Sequence, residues 1–202
     1  MKKKIPLLRI LFCAALAASF SLACGGSGGS GSSSASSGSV VLYATDSPED
    51  DYTQVIMTLN SVQLLHTGSG NPCILTDKSE EPAVLDITEL SSKLQLLEVS
   101  TCNAESYNRI HIEFDRTVTL SDGTAKADCQ FTSYKNNNNK PNVLHCDDIT
   151  ETCTMDINGA VNVLTAAQTV VALDFELKEF EVEDFPAEGC SVTMKVSPLN
   201  AS

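Results

Sequence analysis

Six cysteines hold most of the recognisable chemistry in this 202-residue chain. Eight are present, but Cys13 falls in an N-terminal export segment and Cys24 directly follows it, which leaves Cys73, Cys102, Cys129, Cys146, Cys153 and Cys190. An even number of thiols in an exported domain reads as three disulfides, with the connectivity open. Sequence order suggests Cys73 with Cys102, Cys129 with Cys146, and Cys153 with Cys190, and each such closure typically stabilises by ~2 to 4 kcal/mol. The competing chemistry is a zinc site built from His145, Cys146 and Cys153. It lacks a C-x-x-C pair, and an oxidising compartment disfavours free thiolates, so disulfides are the expectation. No C-x-x-C-H occurs, which excludes covalent c-type haem.

Oxygen ligands are the second possibility. Asp46, Glu49, Asp50 and Asp51 crowd a turn containing Pro48, and Asp147, Asp148 and Glu151 crowd another. A hard cation such as calcium takes several oxygens, so the first cluster is a candidate calcium site. The spacing is not that of an EF-hand, and a solvated acidic turn with Asp46 capping its own backbone accounts for it more simply. No cofactor is expected beyond this calcium alternative. For catalysis there are three histidines, His66, His111 and His145, and none sits in a local nucleophile motif. Two serine- and glycine-rich matches, G-x-S-x-G at Gly25 to Gly29 and G-x-G-x-x-G at Gly26 to Gly31, lack the flanking strand and helix that such motifs need. The expectation is a protein that is not an enzyme, with an envelope hydrolase kept as an alternative because an acidic chain offers many carboxylate pairs.

The N-terminus carries Lys2, Lys3, Lys4 and Arg9, then an apolar run from Ile10 to Ala23. That run is shorter than the ~20 residues of a permanent membrane helix and reads as a signal peptide over residues 1–23. It ends in Leu22-Ala23-Cys24-Gly25, which resembles the lipobox of bacterial lipoproteins. The resemblance implies that Cys24 becomes the mature N-terminus, bearing a diacylglyceryl group on sulfur and an acyl chain such as palmitate on nitrogen. Several acyl chains at ~0.8 kcal/mol per buried methylene make an anchor that one chain does not. Gly25 stands where an aspartate would signal inner-membrane retention, so the outer membrane is favoured, with the leaflet open.

Residues 24–39 follow as the lipidated cysteine and a Gly/Ser tether. Such a segment has nothing to bury, and by coil scaling it spans roughly 20 Å. Removing the signal also changes the charge. The whole chain has 13 basic and 26 acidic residues, but four of the basic ones leave with the signal, so nine face 26 and the mature charge is −17. Nucleic acid is excluded as a partner, because phosphate binding draws its affinity from Lys and Arg.

Residues 40–202 read as one β domain. Ile110, Ile112, Phe114, Val118 and Leu120 share one parity while His111, Glu113, Asp115, Thr117 and Thr119 share the other, with Arg116 marking an edge or bulge. Gln54 to His66 alternates with a slip between Leu59 and Val62, which suits a bulge. Val171, Leu173, Phe175 and Leu177, then Phe180 and Val182, repeat the pattern, and Cys190, Val192, Met194 and Val196 form the inward side of a last strand. Asp122-Gly123 and Asn158-Gly159 supply hairpin turns of type I′ chemistry. Leu90, Leu94 and Leu97 at helical spacing, behind Thr88 as N-cap, predict one short helix. The pattern predicts an all-β, antiparallel β-sandwich, similar to prealbumin or immunoglobulin modules, with one short helix.

Several short segments resemble the bacterial lipoprotein family known as domain of unknown function 4382. They are Gly38 to Thr45 followed by Asp46-Ser47-Pro48 and then Tyr52 to His66, Asp86-Ile87-Thr88-Glu89-Leu90, Tyr107 to Ile112, Leu173-Asp174-Phe175, and Lys195-Val196-Ser197-Pro198. The resemblance covers most of Val40 to Leu199 and implies a secreted, often lipid-anchored β-sandwich with no established activity. The six domain cysteines and the inserted-looking stretch from Thr132 to Asn142, with its Asn136 to Asn139 run, depart from the family pattern. The expectation is therefore a lipid-anchored cell-envelope lipoprotein whose domain is a binding or structural module for an unknown protein or glycan. Its partners would meet loops at one end, the Asp46 to Asp51 turn and the loop around Asn137. A calcium-dependent adhesion or carbohydrate-binding module is the alternative.

Overall fold

The computed structural model describes residues 36–46, 51–66, 70–78, 81–90, 93–133, 144–175, 180–194 and 197–199. The signal, Cys24, the tether up to Ala35, Glu49, Asp50, Glu176, Leu177, Glu179, Val196 and the Asn136 to Asn139 run lie outside these residues.

Alternation of apolar and polar residues builds nearly all of the described structure. The strands are β1 (Ser37–Thr45), β2 (Gln54–Leu65), β3 (Cys73–Asp77), β4 (Ala83–Asp86), β5 (Gln95–Asn103), β6 (Ser106–Asp115), β7 (Thr117–Ser121), β8 (Lys126–Phe131), β9 (Leu144–Asp147), β10 (Thr152–Asn162), β11 (Gln168–Asp174), β12 (Glu181–Glu183), β13 (Ser191–Thr193) and β14 (Ser197–Leu199). They form a small sheet in the order β14-β11-β1-β5 and a large one in the order β12-β13-β8-β7-β2-β6-β10-β9, with β3 and β4 also paired to β2. The result is an all-β, sandwich-like fold. It is mixed rather than antiparallel throughout, because β1 pairs parallel with β11 and β8 pairs parallel with β13.

The long strand pattern after Arg109 is divided at Arg116. β6 ends there and β7 begins, while the Arg116 N–H donates to the Glu151 carbonyl at 2.8 Å and its carbonyl accepts from Phe131 N–H at 2.8 Å. The inward residues Ile110, Ile112, Phe114, Val118 and Leu120 are all buried in the core, where Phe114 and Phe131 meet edge to face at 5.2 Å. The slip read in Gln54 to His66 is a bulge in β2 between Leu59 and Ser61. It turns Val62 and Leu64 back onto the core face already occupied by Val55, Met57 and Leu59.

Four local expectations are corrected. The helix over Leu90 to Leu97 is instead a single 3₁₀ turn, Ile87–Leu90, followed by β5. Its cap is Asp86 rather than Thr88: the Asp86 carboxylate accepts from the Thr88 N–H at 3.2 Å and from the Thr88 hydroxyl at 2.7 Å. Asn158-Gly159 is not a turn, since β10 runs through it and absorbs it as a bulge against β6. The Asp122-Gly123 hairpin exists, but it is a four-residue loop in which Gly123 has φ +86° and the Asp122 carboxylate accepts from Thr124 and Ala125 N–H, both at 2.7 Å. The last strand, expected over Cys190 to Val196, is the shorter β13 of the large sheet, and a separate strand beyond it, β14, joins the small sheet.

β1 reaches back into the Gly/Ser run. Ser37, Gly38 and Ser39 belong to β1 and pair with Asn103, Cys102 and Thr101 of β5. Gly38 is required there: a Cβ on it would stand 2.3 Å from the Leu164 carbonyl. Backbone bonds from Ser39 N–H to Ala167 O and from Ala166 N–H to Ser37 O, both 2.9 Å, pin the 164–167 loop onto the start of β1.

Candidate functional site

The disulfides come first, because all six domain cysteines are paired. They join Cys73 to Cys102, Cys129 to Cys190 and Cys146 to Cys153. Sequence order was right for the first and wrong for the other two. Cys146 and Cys153 face each other in register on β9 and β10, so the nearest partner lay across a hairpin rather than across the Asn-rich loop. With those two sulfurs bonded to one another, the His145, Cys146 and Cys153 zinc alternative has lost its thiolates. Cys73–Cys102 links β3 of the large sheet to β5 of the small one.

The acidic turn is only partly described. Asp46 is buried at the end of β1 and Asp51 is exposed, while Glu49 and Asp50 lie outside the described residues. Among the described residues no group of three His, Cys, Asp or Glu side chains is placed to hold a metal ion. The negative potential at this end is nonetheless visible in Tyr52. Burial raises its phenol pKa, and the charges of Asp51 and Asp122 raise it further.

Two polar clusters lie elsewhere. On the outer face of the large sheet, the Asp156 carboxylate accepts from Arg109 Nη1 at 3.0 Å and meets His111 Nδ1 at 2.7 Å. At the sandwich end near the start of β1, Glu105 Oε1 stands 3.1 Å from His66 Nε2 and accepts from the Tyr107 hydroxyl at 3.2 Å. The His66 ring lies over Tyr107 with centroids 4.4 Å apart.

The third surface is the outer face of the small sheet, and it was not anticipated. Val41 of β1 stands in register with Val99 of β5 on one side and Val170 of β11 on the other. Val99 and Val170 are 55% and 44% exposed, and between them they cover Val41, which is 2% exposed without joining the core cluster. One step along, Tyr43 pairs with Leu96 and Ala172; Leu96 and its neighbour Leu94 are also exposed. In the other direction, Ser39 pairs with Thr101 and Gln168. There the face opens into a shallow cleft of about 470 Å³ lined by Ser37, Gly38, Ser39, Thr101, Ala166, Ala167 and Gln168. The lining has hydroxyls, an amide and backbone groups, and neither histidine nor carboxylate.

The signal for this surface was present in the sequence. Val40-Val41 and Val170-Val171 place one apolar side chain on each face of their strands, as in a strand that is apolar on both sides.

Fold and surface together define an all-β, disulfide-braced sandwich domain. Residues 37–187 match the family described as Domain of unknown function (DUF4382), and the chain belongs to that family. The match starts at Ser37, the residue at which β1 begins. No curated protein and no solved structure matches the chain.

Proposed function

We propose that this protein is a lipoprotein of the bacterial cell envelope, held through lipid on Cys24, whose β-sandwich acts as a non-catalytic binding or structural module. The observation that carries the reading is the full pairing of the six domain cysteines in a fold that begins directly behind the Gly/Ser run. Structural disulfides persist in oxidising compartments, and the segment ahead of the run has the charged, apolar and small-residue order of an export signal. A mature charge of −17 keeps the domain soluble while its lipid holds it, with the outer membrane as the destination that Gly25 favours.

The test is fractionation of cells making the whole chain. Wild type is expected in the membrane fraction with radiolabelled palmitate attached, and Cys24→Ser in the soluble fraction without label. Unchanged fractionation of Cys24→Ser overturns the anchor.

A further inference from the structure

We infer that the outer face of the four-stranded sheet is a membrane-facing surface, which rests on the lipid-anchored reading above and adds which side of the domain meets the lipid. Three observations carry it. The first is contiguous apolar exposure: Leu96, Val99 and Val170, 53%, 55% and 44% exposed, lie on the two strands flanking Val41 and Tyr43, and Leu94, 61% exposed, stands just ahead of β5. Single exposed hydrophobic residues are ordinary, whereas a row across adjacent strands marks a contact surface.

The second observation is charge. Along β1, β5 and β11 the outward residues Ser39, Val41 and Tyr43, Leu96, Val99 and Thr101, and Gln168, Val170 and Ala172 are uncharged, while Glu98 of β5, in register with the buried Leu42, is ion-paired with Lys78 at 3.5 Å. Asp174, opposite Thr45, is the first carboxylate of that parity on β11, and Lys93 adjoins Leu94 at the other strand. The outer face of the large sheet carries Arg109, His111, Glu113, Asp115 and Asp156. In a domain of charge −17 this matters, because anionic lipid repels carboxylates over about a Debye length. The small sheet offers the face that can approach at least electrostatic cost.

The third observation is connectivity. The Gly/Ser run enters the domain at Ser37, and Ser37 lines the cleft at the end of this same face. The bonds that pin the 164–167 loop to Ser37 and Ser39 fix that entry point. An anchor on the same molecule holds the domain at high effective concentration beside the lipid, so even a weak contact from this face is made. The chemistry fits a lipid surface better than a second copy of the chain, whose own charge of −17 opposes self-association.

The chain contains no tryptophan, so one introduced residue reports alone. Full-length Val170→Trp and Thr154→Trp proteins, purified from membranes, are placed in vesicles of phosphatidylethanolamine and phosphatidylglycerol carrying doxyl-labelled lipid. Val99→Trp repeats the measurement at an independent position should Val170→Trp fold poorly. Val170→Trp is expected to shift to the blue and to be quenched about twofold or more, while Thr154→Trp on the large sheet is unaffected. Flotation with the vesicles reports the anchor separately. Flotation with equal, solvent-like emission from both positions overturns the membrane-facing surface and leaves the anchor standing. No flotation, with an intact mass lacking lipid, overturns the anchored reading and the inference with it. A blue shift without quenching, with a doubled mass in detergent, assigns the face to a second copy and also overturns the inference.

Discussion

The outer faces of the two sheets are finished in opposite ways, although both come from the same alternation. On the large sheet, polar residues stand outward and bond to one another across strands: Arg109 and His111 to Asp156, Asn60 to Asp115 at 2.9 Å, Thr119 to Asp128 at 2.6 Å. Water and neighbours satisfy such a face, and it asks for nothing further. On the small sheet, the outward row is Val99, Val41 and Val170, which cover only one another. The bracing differs as well. Cys129–Cys190 and Cys146–Cys153 lie within the large sheet and its β13 approach, while the small sheet is tied covalently only through Cys73–Cys102 among the described pairs. The contrast teaches that the large sheet is built as a self-sufficient wall and the small sheet as a surface with an unfilled side.

The largest test of that contrast is removal of disulfides. Cys129–Cys190 spans 61 residues and holds β13, which reaches β8 through only two register pairs. Cys129→Ser with Cys190→Ser is expected to cost about 4 kcal/mol, against about 2 kcal/mol for the seven-residue Cys146–Cys153 closure, by the loop-entropy relation. Urea midpoints of the two double variants check the order; equal losses would mean that the wall does not depend on its long brace. Next in size is a carboxylate in each face. Val41→Asp places a charge where 2% of the residue reaches solvent and is expected to destabilise by about 3 kcal/mol. Gln63→Glu, opposite His111 on the large sheet, is expected to stay within about 0.5 kcal/mol. If both are neutral, the apolar row is not packed and the contrast between the faces is lost.

How much of this could be read from residues depended on whether a feature was local. The strand over Ile110 to Phe114 and the bulge between Leu59 and Val62 follow from parity alone, because a one-residue slip moves every side chain to the wrong face. Asn158-Gly159 misled for the same reason that it usually informs. Its dihedral freedom serves a bulge as readily as a turn, and the long pairing of β10 with β6 decided between them. The helical spacing of Leu90, Leu94 and Leu97 gave way when β5 found an edge on β1, since tertiary pairing outweighs a weak local preference. Disulfide partners are a matter of sheet order, and sheet order is long-range. The parallel pairing of β1 with β11 explains why the apolar outer row was missed: its three valines are 41, 99 and 170, and nothing in their spacing says they are neighbours.

The smallest effect tests the seam between the sheets. Tyr107 of the large sheet sends its hydroxyl to the Asn103 carbonyl of β5 at 3.3 Å and to Glu105 at 3.2 Å. Burial chiefly, then the hydrogen bond and charge of Glu105, push its phenol up to about 12 from the ordinary 10.0. A group whose pKa is raised on folding keeps its proton where the unfolded chain loses it. The stabilisation is therefore complete below pH 10 and falls as pH rises from about 10 towards 12. Tyr107→Phe is expected to lose about 1 kcal/mol at neutral pH, from the hydroxyl bonds alone. The steepening loss of stability above pH 10 is expected to be smaller in that variant than in wild type. Ultraviolet difference spectra of wild type against Tyr107→Phe isolate the phenol from the other three tyrosines. A phenol that ionises near 10 in the folded protein would show that water reaches the seam, and that the small sheet is held to the wall by its disulfide and apolar contacts without this polar tie.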